Sequence, residues 1–385
     1  MTIQFTHPGA APLALNRRES LLDYLTRPIS PVAALTRPDY DAMPAPERAE
    51  FDRARIAYLS GGLVVVTPTI QDCKTVLTRA FAANSARNSG HAGVMLTGDS
   101  TMGKTTAAKT LMRWVVDQYS LQFPGWRAAD HIPVVYIEVP AAANGKTLMR
   151  VFAEFLGLAV LPRETADELR VKVVAALRRA NTQVIVVDEL HNLAGRTAGV
   201  GEASDILKGL SNDLTATFLY AGIDLTAQGF MSGLRGQQLT RRFTAVPMVK
   251  YEWANPDDRK TWKRIVATFE KLCPLIDNAP GTLDPLAEYL HQRTDGSIGA
   301  LSRLLTGTAI DLISAGEGAP EEFTEDALDQ YALDYSSEAH YRRRNLPTVS
   351  ARRPKAATKP KQRQANESPA VDAAKRALME QVNGR

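Results

Sequence analysis

The segment LTGDSTMGKTTAAKTL at residues 96–111 constrains the fold more strongly than any other part of the chain. Residues 98–105 match the pattern GxxxxGK followed by Ser or Thr, between an apolar run and a helical pattern. Glycines let backbone N–H groups turn toward phosphate oxygens, and the positive end of the following helix dipole attracts the same oxygens. Because strand, loop and helix occur in the required order, the segment predicts a phosphate-binding loop and not a chance Gly-Lys turn.

The loop motif assigns a role to individual side chains. Lys104 would contact the β and γ phosphates of ATP, and the hydroxyl of Thr105 would ligate Mg²⁺. The nucleotide-binding residues predicted from this segment are Gly98, Asp99, Ser100, Thr101, Met102, Gly103, Lys104, Thr105 and Thr106.

A second motif supplies the acids that ATP hydrolysis requires. Asp188 and Glu189 directly follow the β-branched run QVIVV at residues 183–187. We expect Asp188 to hold Mg²⁺ together with Thr105, through a water, and Glu189 to act as the catalytic base that polarises the attacking water. A surface Asp-Glu pair that caps a helix is the alternative. His191 is interpreted as a packed or surface histidine.

Two further candidates follow from position along the chain. Asp224, with Thr226 behind it, follows the third strand and would lie near the γ-phosphate, although an aspartate there could equally cap a turn. Arg241 and Arg242 precede the last strand, where a guanidinium points out of its own subunit's site. We predict that one of them stabilises transition-state charge in a neighbouring subunit. The alternative is a surface pair that favours a helix C-terminus.

Apolar runs and helical patterns alternate as far as residue 250. The runs at residues 93–97, 132–139, 183–187, 217–221 and 245–250 predict an α/β fold with a parallel sheet covered on both faces. Only helical patterns follow, at residues 256–271, 285–293, 298–315 and 324–333. The predicted domains are an N-terminal extension (1–60) with one helix from about Pro46, a nucleotide-binding domain (61–250), a helical lid (251–335) and a disordered tail (336–385).

Charge is concentrated in the tail. The net charge is +4, yet residues 339–363 hold nine Lys or Arg and no Asp or Glu, which leaves the rest of the chain at −5. Nucleic-acid contact by the body would therefore need a local patch. The two cysteines form no CxxC pair, which favours a reducing cytoplasm. The apolar runs fall short of the roughly 20 residues that a membrane span needs, so no membrane association is expected.

The order of phosphate loop, acidic strand, third strand, Arg-Arg-Phe and helical lid is the order seen in AAA+ ATPases. Within it, the chain resembles the TniB family of transposition ATPases, which is related to TnsC, MuB and IstB. The residues that carry the resemblance are 46–62, 96–106, 184–193, 239–243 and 294–317. The resemblance implies a P-loop AAA+ three-layer sandwich with a parallel central sheet, followed by a small helical lid.

The same resemblance implies a function and partners. It implies an ATP- and Mg²⁺-dependent regulator that binds double-stranded target DNA as a homo-oligomer, in a ring or a filament. Such a protein recruits a DDE transposase of the TniA or TnsB type, often with a TniQ-type partner, and performs no strand transfer itself.

The resemblance also points to a DNA-facing loop at residues 140–147, where Lys146, Thr147 and Arg150 are the predicted contacts. The alternative is a helix capped at Asn144 beside a solvated lysine. In the lid, Gly299 and Leu301 stand where many AAA+ proteins carry an arginine. The nearest arginine is Arg303, and a plain helix-surface charge is the alternative to phosphate sensing at this position.

Two other functions stay open at this stage. One is a nucleotide-gated DNA-binding scaffold that hydrolyses ATP slowly or never, although intact Lys104, Asp188, Glu189 and Arg241 argue against an inactive site. The other is an AAA+ helicase loader or initiator, which would usually carry a separate DNA-binding fold.

Overall fold

The computed structural model describes residues 14–29, 31–193, 199–223, 225, 241–316, 318–334, 337, 338 and 341. Its central feature is a five-stranded, all-parallel sheet with the strand order β2-β3-β4-β1-β5. The strands are β1 (Gly93–Thr97), β2 (Val134–Glu138), β3 (Val184–Asp188), β4 (Thr217–Gly222) and β5 (Phe243–Pro247). Strand β4 therefore lies between the two motif strands β1 and β3, as the interpretation of residue 224 requires.

Every residue of β1, β3 and β4 is buried. Successive side chains of a strand point to opposite faces, so complete burial means that both faces of the sheet are covered. The covering helices are α4 (Pro68–Asn84), α5 (Lys104–Gln122), α6 (Gly145–Phe155), α7 (Ala166–Arg179) and α8 (Gly199–Asp213). The predicted α/β sandwich is thus confirmed.

The lid has an apolar core of its own. It contains α9 (Pro256–Leu272), α10 (Ala287–Thr294), α11 (Ile298–Ser314) and α12 (Glu325–Gln330). Trp262, Phe269, Leu301 and Phe323 lie at its centre and are at most 2% exposed. Helix α12 ends three residues before the predicted boundary at residue 333.

The N-terminal region contributes to both cores. It forms α1 (Arg18–Thr26), α2 (Arg37–Ala42) and α3 (Ala45–Ala57), and α3 continues into a π-helical turn at Tyr58–Gly62. The helix predicted from about Pro46 is present as α3, whereas α1 and α2 were not predicted, because they are short and lack a long apolar period. Leu21 and Leu25 of α1 pack into the core around the sheet. Tyr58, Leu59, Leu63 and Val65 pack into the lid core instead.

A buried ion-pair cluster fixes α3 to the lid. The Arg55 side chain is fully buried and pairs with Asp52 and Glu321, and it donates to the Pro274 carbonyl at 3.0 Å. Its guanidinium also lies 4.9 Å from the centre of the Phe51 ring. A buried guanidinium is tolerated only when it is paired and hydrogen-bonded in this way.

Some predictions fall outside the described part of the chain. Most of the predicted tail, with its nine cations, lies there, and so do Asp224, Thr226 and residues 227–240. Of the helices that the structure describes, none has both the length and the apolar character required to cross a membrane.

Candidate nucleotide-binding site

The phosphate loop connects β1 to α5 through a left-handed backbone. Thr101 has φ +66° and Gly103, which directly precedes α5, has φ +84°. Such a backbone directs successive N–H groups toward one point, as an anion site requires. Lys104 is buried, and its Nζ donates to the carbonyls of Gly98 at 2.8 Å and Asp99 at 2.6 Å. The ammonium group is therefore held inside the curve of the loop.

The charge of Lys104 is balanced by its surroundings. Burial lowers the pKa of Lys104, while the carboxylates of Glu189, Asp188 and Asp99 act in the opposite direction. A buried ammonium group gains most from an anion brought into contact with it. The triphosphate of a nucleotide is such an anion.

The two predicted metal ligands are already adjacent. The hydroxyl of Thr105 donates to Asp188 Oδ2 at 3.0 Å, and Asp188 is 2% exposed. An octahedral Mg²⁺ with ligands at about 2.1 Å places neighbouring ligand oxygens about 3.0 Å apart. The pair thus fits Mg²⁺, either directly or, for Asp188, through a bound water.

Tyr136 is a site residue that the sequence did not reveal. Its buried hydroxyl donates to the same Asp188 Oδ2 at 3.0 Å, while Asp188 Oδ1 accepts the Glu189 N–H at 2.8 Å. Tyr136 lies on β2, opposite Val186 of β3. The available signal was a single phenolic hydroxyl inside the apolar run IPVVYIEV. Both carboxylate oxygens of Asp188 are therefore fixed by hydrogen bonds.

Glu189 faces the same cleft as the phosphate loop. Its backbone has φ +55°, and its carboxylate lines the cleft with Lys104 and Thr105. Glu189 Oε2 lies 3.2 Å from His191 Nδ1, which lies 3.4 Å from the backbone N of Ile223 at the end of β4. His191 is half-buried, as expected for a packed histidine, but it also contacts the predicted base.

A second, apolar cavity adjoins the phosphate cleft and was also missed. Its lining includes Leu63, Val65, Tyr251, Phe269 and Ile298, and it shares Gly103 and Gly299 with the cleft. These residues come from the segment before α4, the phosphate loop and the lid, so no local sequence pattern unites them. A planar, largely apolar group such as a nucleotide base suits this position.

The arginine pair lies at the other end of the sheet. The carbonyl of Arg242 accepts the N–H of Gly93 at 3.1 Å, which places the pair where β1 begins, whereas the phosphate loop lies where β1 ends. Five residues at about 3.3 Å each separate the two by roughly 16 Å. Arg242 Nη1 donates to Asn212 Oδ1 at 3.0 Å, whereas Arg241 is exposed.

The predicted DNA-facing loop follows β2. Asn144 Oδ1 accepts from Thr147 N at 2.9 Å and from Thr147 Oγ1 at 3.0 Å, so the helix cap considered as the alternative is present. Lys146 is partly exposed, with Nζ 3.5 Å from the Pro162 carbonyl, and Arg150 is exposed. A cap and a DNA contact are compatible, because the cap uses Asn144 and Thr147 and leaves both cations accessible.

The family model described as "Bacterial TniB protein" matches residues 55–253, which is more than half of the chain. The chain belongs to the TniB family. The match extends from α3 through the entire sheet, and the lid helices α9–α12 lie beyond it. No curated protein matches this TniB sequence.

Two Aeropyrum pernix ORC proteins are similar to this chain in structure. The Aeropyrum pernix ORC2 protein, solved with ADPNP and ADP, is 16% identical with a TM-score of 0.53, over 74% of the TniB chain and 73% of its own. The Aeropyrum pernix ORC1 protein, solved with DNA, is 17% identical with a TM-score of 0.49, over 74% and 70% of the two chains. The first likeness supports the AAA+ fold of a P-loop nucleotide-binding protein.

Proposed function

We propose that this TniB protein is an ATP-dependent regulator of DNA transposition that binds ATP, Mg²⁺ and duplex DNA as an oligomer and recruits a DDE transposase. The observation that carries the proposal is that Lys104, Thr105 and Glu189 line one cleft, where the Thr105 hydroxyl is hydrogen-bonded to Asp188 at 3.0 Å. Family membership supports the link to transposition.

The arrangement of side chains favours hydrolysis. Mg²⁺, held by Thr105 and Asp188, would neutralise charge on the β and γ phosphates when bound. Lys104 binds and orients the same phosphates, and Glu189 accepts a proton from the attacking water. Asp224, which follows β4 in the sequence, would add a polar group near the γ-phosphate. Arg241 is our choice for the residue that completes a neighbouring site, because Arg242 is held by Asn212.

DNA contact is assigned to the partly exposed cations Lys146 and Arg150, with Thr147 beside them. Contacts to phosphates would make binding tolerant of sequence and sensitive to salt, with about −0.9 in the slope of log affinity against log salt for each phosphate neutralised. Several copies along one duplex would add such contacts, so assembly with ATP should strengthen binding. The basic tail could bind DNA without nucleotide.

Duplex-DNA binding by full-length protein, titrated with salt in the presence and absence of a non-hydrolysable ATP analogue, tests this proposal. We expect ATP-dependent binding that Lys146→Ala weakens, while Lys260→Ala, an exposed lysine of α9, leaves it intact. Deletion of residues 342–385, which removes all nine cations but keeps Glu338 and Tyr341, should remove only the nucleotide-independent part. Equal binding with and without nucleotide, unaffected by Lys146→Ala, would contradict the proposal. A transposase pull-down tests recruitment separately.

The contact between Glu189 and His191 favours one second candidate. An ATPase whose catalytic base contacts a neighbouring imidazole is expected to hydrolyse ATP slowly. Slow hydrolysis suits a nucleotide-gated DNA scaffold. Turnover measured with and without duplex DNA distinguishes the two functions. A rate that stays near zero when DNA is bound supports the scaffold.

A further inference from the structure

The lid joins the phosphate loop directly at the start of α11. The carbonyl of Thr101 accepts two hydrogen bonds from this helix start, one from Ser297 Oγ at 3.0 Å and one from the Gly299 N–H at 3.1 Å. The phosphate loop and this end of α11 are therefore linked directly by hydrogen bonds.

The close contact explains why residue 299 is glycine. A Cβ at Gly299 would lie 2.1 Å from the Thr101 carbonyl oxygen, so no larger residue fits here without moving the loop. Residues four apart lie on one face of a helix. Arg303 is one turn further along α11, and it lines the nucleotide cleft together with Lys104 and Glu189.

Arg303 has a partner outside the cleft. Its Nη2 lies 2.7 Å from Asp334 Oδ2, and the two side chains are 45% and 28% exposed. Ion pairs with this degree of solvent contact contribute little to stability. The Asp334 carboxylate also accepts from Ser337, at 3.2 Å from N and 3.0 Å from Oγ. Asp334 therefore links a cleft-lining arginine to the residues that follow it.

A second arginine anchors the same stretch, which we call the C-terminal segment (residues 331–334, 337, 338 and 341). Arg293 is 3% exposed, and its Nη2 lies 2.7 Å from Glu338 Oε1 and 3.1 Å from the Tyr331 carbonyl. The Tyr341 ring lies 4.8 Å from its guanidinium carbon. Arg293 is thus a buried partner of the C-terminal segment that does not line the cleft, whereas Arg303 is a solvent-exposed partner that does.

We propose that the phosphate oxygens of a bound nucleoside triphosphate compete with Asp334 for Arg303, so that nucleotide binding loosens the C-terminal segment from the lid. The inference rests on the proposed nucleotide site. Phosphate oxygens carry more negative charge than one carboxylate, and the pair to be broken is weak. Coupling of this kind is reciprocal, so loosening the segment strengthens nucleotide binding. In the sequence, the stretch of nine cations begins directly after this segment. Loosening the segment would therefore make the tail respond to the bound nucleotide as well.

ATP affinity of full-length variants, measured with a fluorescent ATP analogue and Mg²⁺, tests the competition. Asp334→Asn should tighten binding by about threefold, the scale of a solvated pair. Arg303→Gln should weaken it, and Asp334→Asn should then have no effect in the Arg303→Gln protein. Asp311→Asn, an exposed carboxylate of α11, is the matched control and should leave the affinity unchanged.

Hydrogen exchange supplies a readout independent of affinity. The amides of Leu333 and Ser337 donate to Glu338 and Asp334, so exchange in the C-terminal segment reports its docking. The nucleotide should speed this exchange in the wild type and not in Arg303→Gln. Unchanged exchange in the wild type, or an Asp334→Asn effect that persists without Arg303, would overturn the inference while ATP binding stands. Failure of the wild type to bind ATP would instead refute the nucleotide site itself.

Discussion

The two ends of the parallel sheet differ in the functional side chains that they carry. Where the strands end, Lys104, Thr105, Asp188 and Glu189 share one cleft, and Tyr136 fixes the aspartate from a neighbouring strand. Where the strands begin, Arg241 is exposed roughly 16 Å away, at about 3.3 Å for each of the five residues of β1. The first end is the proposed nucleotide site, and the second carries an exposed cation that lies away from that site in its own chain.

Under the proposed function, one chain therefore holds most of the catalytic site but not all of the positive charge that phosphoryl transfer uses. A second copy that presents its Arg241 to the cleft would supply that charge. The predictions below challenge the two ends in turn, beginning with the loss of nucleotide binding, on which every later effect depends.

Lys104→Ala removes the only ammonium group among the described cleft-lining residues. ATP affinity should fall by about 10²-fold or more, the scale for a lost contact to a charged group in a sheltered site. Burial lowers the pKa of Lys104, so the charged ammonium group destabilises the folded protein at pH values below that pKa. The melting temperature of Lys104→Ala should therefore not fall. Calorimetric titration with ATP checks the affinity, and Lys260→Ala is the control. Unchanged affinity would refute the phosphate-loop assignment.

Arg241→Ala should leave ATP affinity within about twofold and reduce turnover by about 10³-fold, the lower range for such an arginine. Arg242→Ala should mainly lose the hydrogen bond to Asn212, at about 1 kcal/mol of stability. Steady-state ATPase rates and thermal melts of both variants make the comparison. A larger catalytic loss in Arg242→Ala would reverse our assignment.

Glu189→Gln keeps the size of the side chain but removes the base. ATP and DNA binding should persist, while turnover falls by about 10²-fold. Glu138→Gln, at the end of neighbouring β2 and exposed, is the control and should retain turnover. Near-normal rates in Glu189→Gln would mean that another group activates the water.

Tyr136→Phe removes one hydrogen bond to Asp188 and keeps the ring in place. The Mg²⁺ concentration for half-maximal nucleotide binding should rise by about fivefold, the value of one buried hydrogen bond of about 1 kcal/mol. Excess Mg²⁺ should restore binding, which a merely structural defect would not permit. Tyr119→Phe, whose hydroxyl contacts His131 and Asn181, is the control.

Features encoded in contiguous residues could be predicted from the sequence. The phosphate loop and the acidic strand each combine a β-branched run with side chains fixed by the chemistry of phosphate and Mg²⁺. The last strand begins at Phe243, two residues earlier than predicted. The Phe243 ring stacks on Tyr220, with 4.5 Å between the ring centres, and so holds these residues against the sheet. That contact arises only from the tertiary fold.

Features that join distant residues could not be predicted. The apolar cavity combines Leu63 with Tyr251 and Ile298, and the ion pair of Arg303 depends on Asp334. Helices α1 and α2 gain their stability by packing on other elements, with little contribution from their own apolar period. Asp224 lies outside the described residues, so its role stays a prediction.

A mixing experiment tests most directly the central claim that two copies share one catalytic site. Arg241→Ala and Glu189→Gln proteins, each nearly inactive, are combined at several ratios with ATP, Mg²⁺ and duplex DNA. A mixed interface can pair an intact Glu189 in one copy with an intact Arg241 in the next, so turnover should reappear and be highest near equal amounts. Turnover that stays at the level of the separate variants at every ratio, although both bind ATP and assemble, would contradict the shared site.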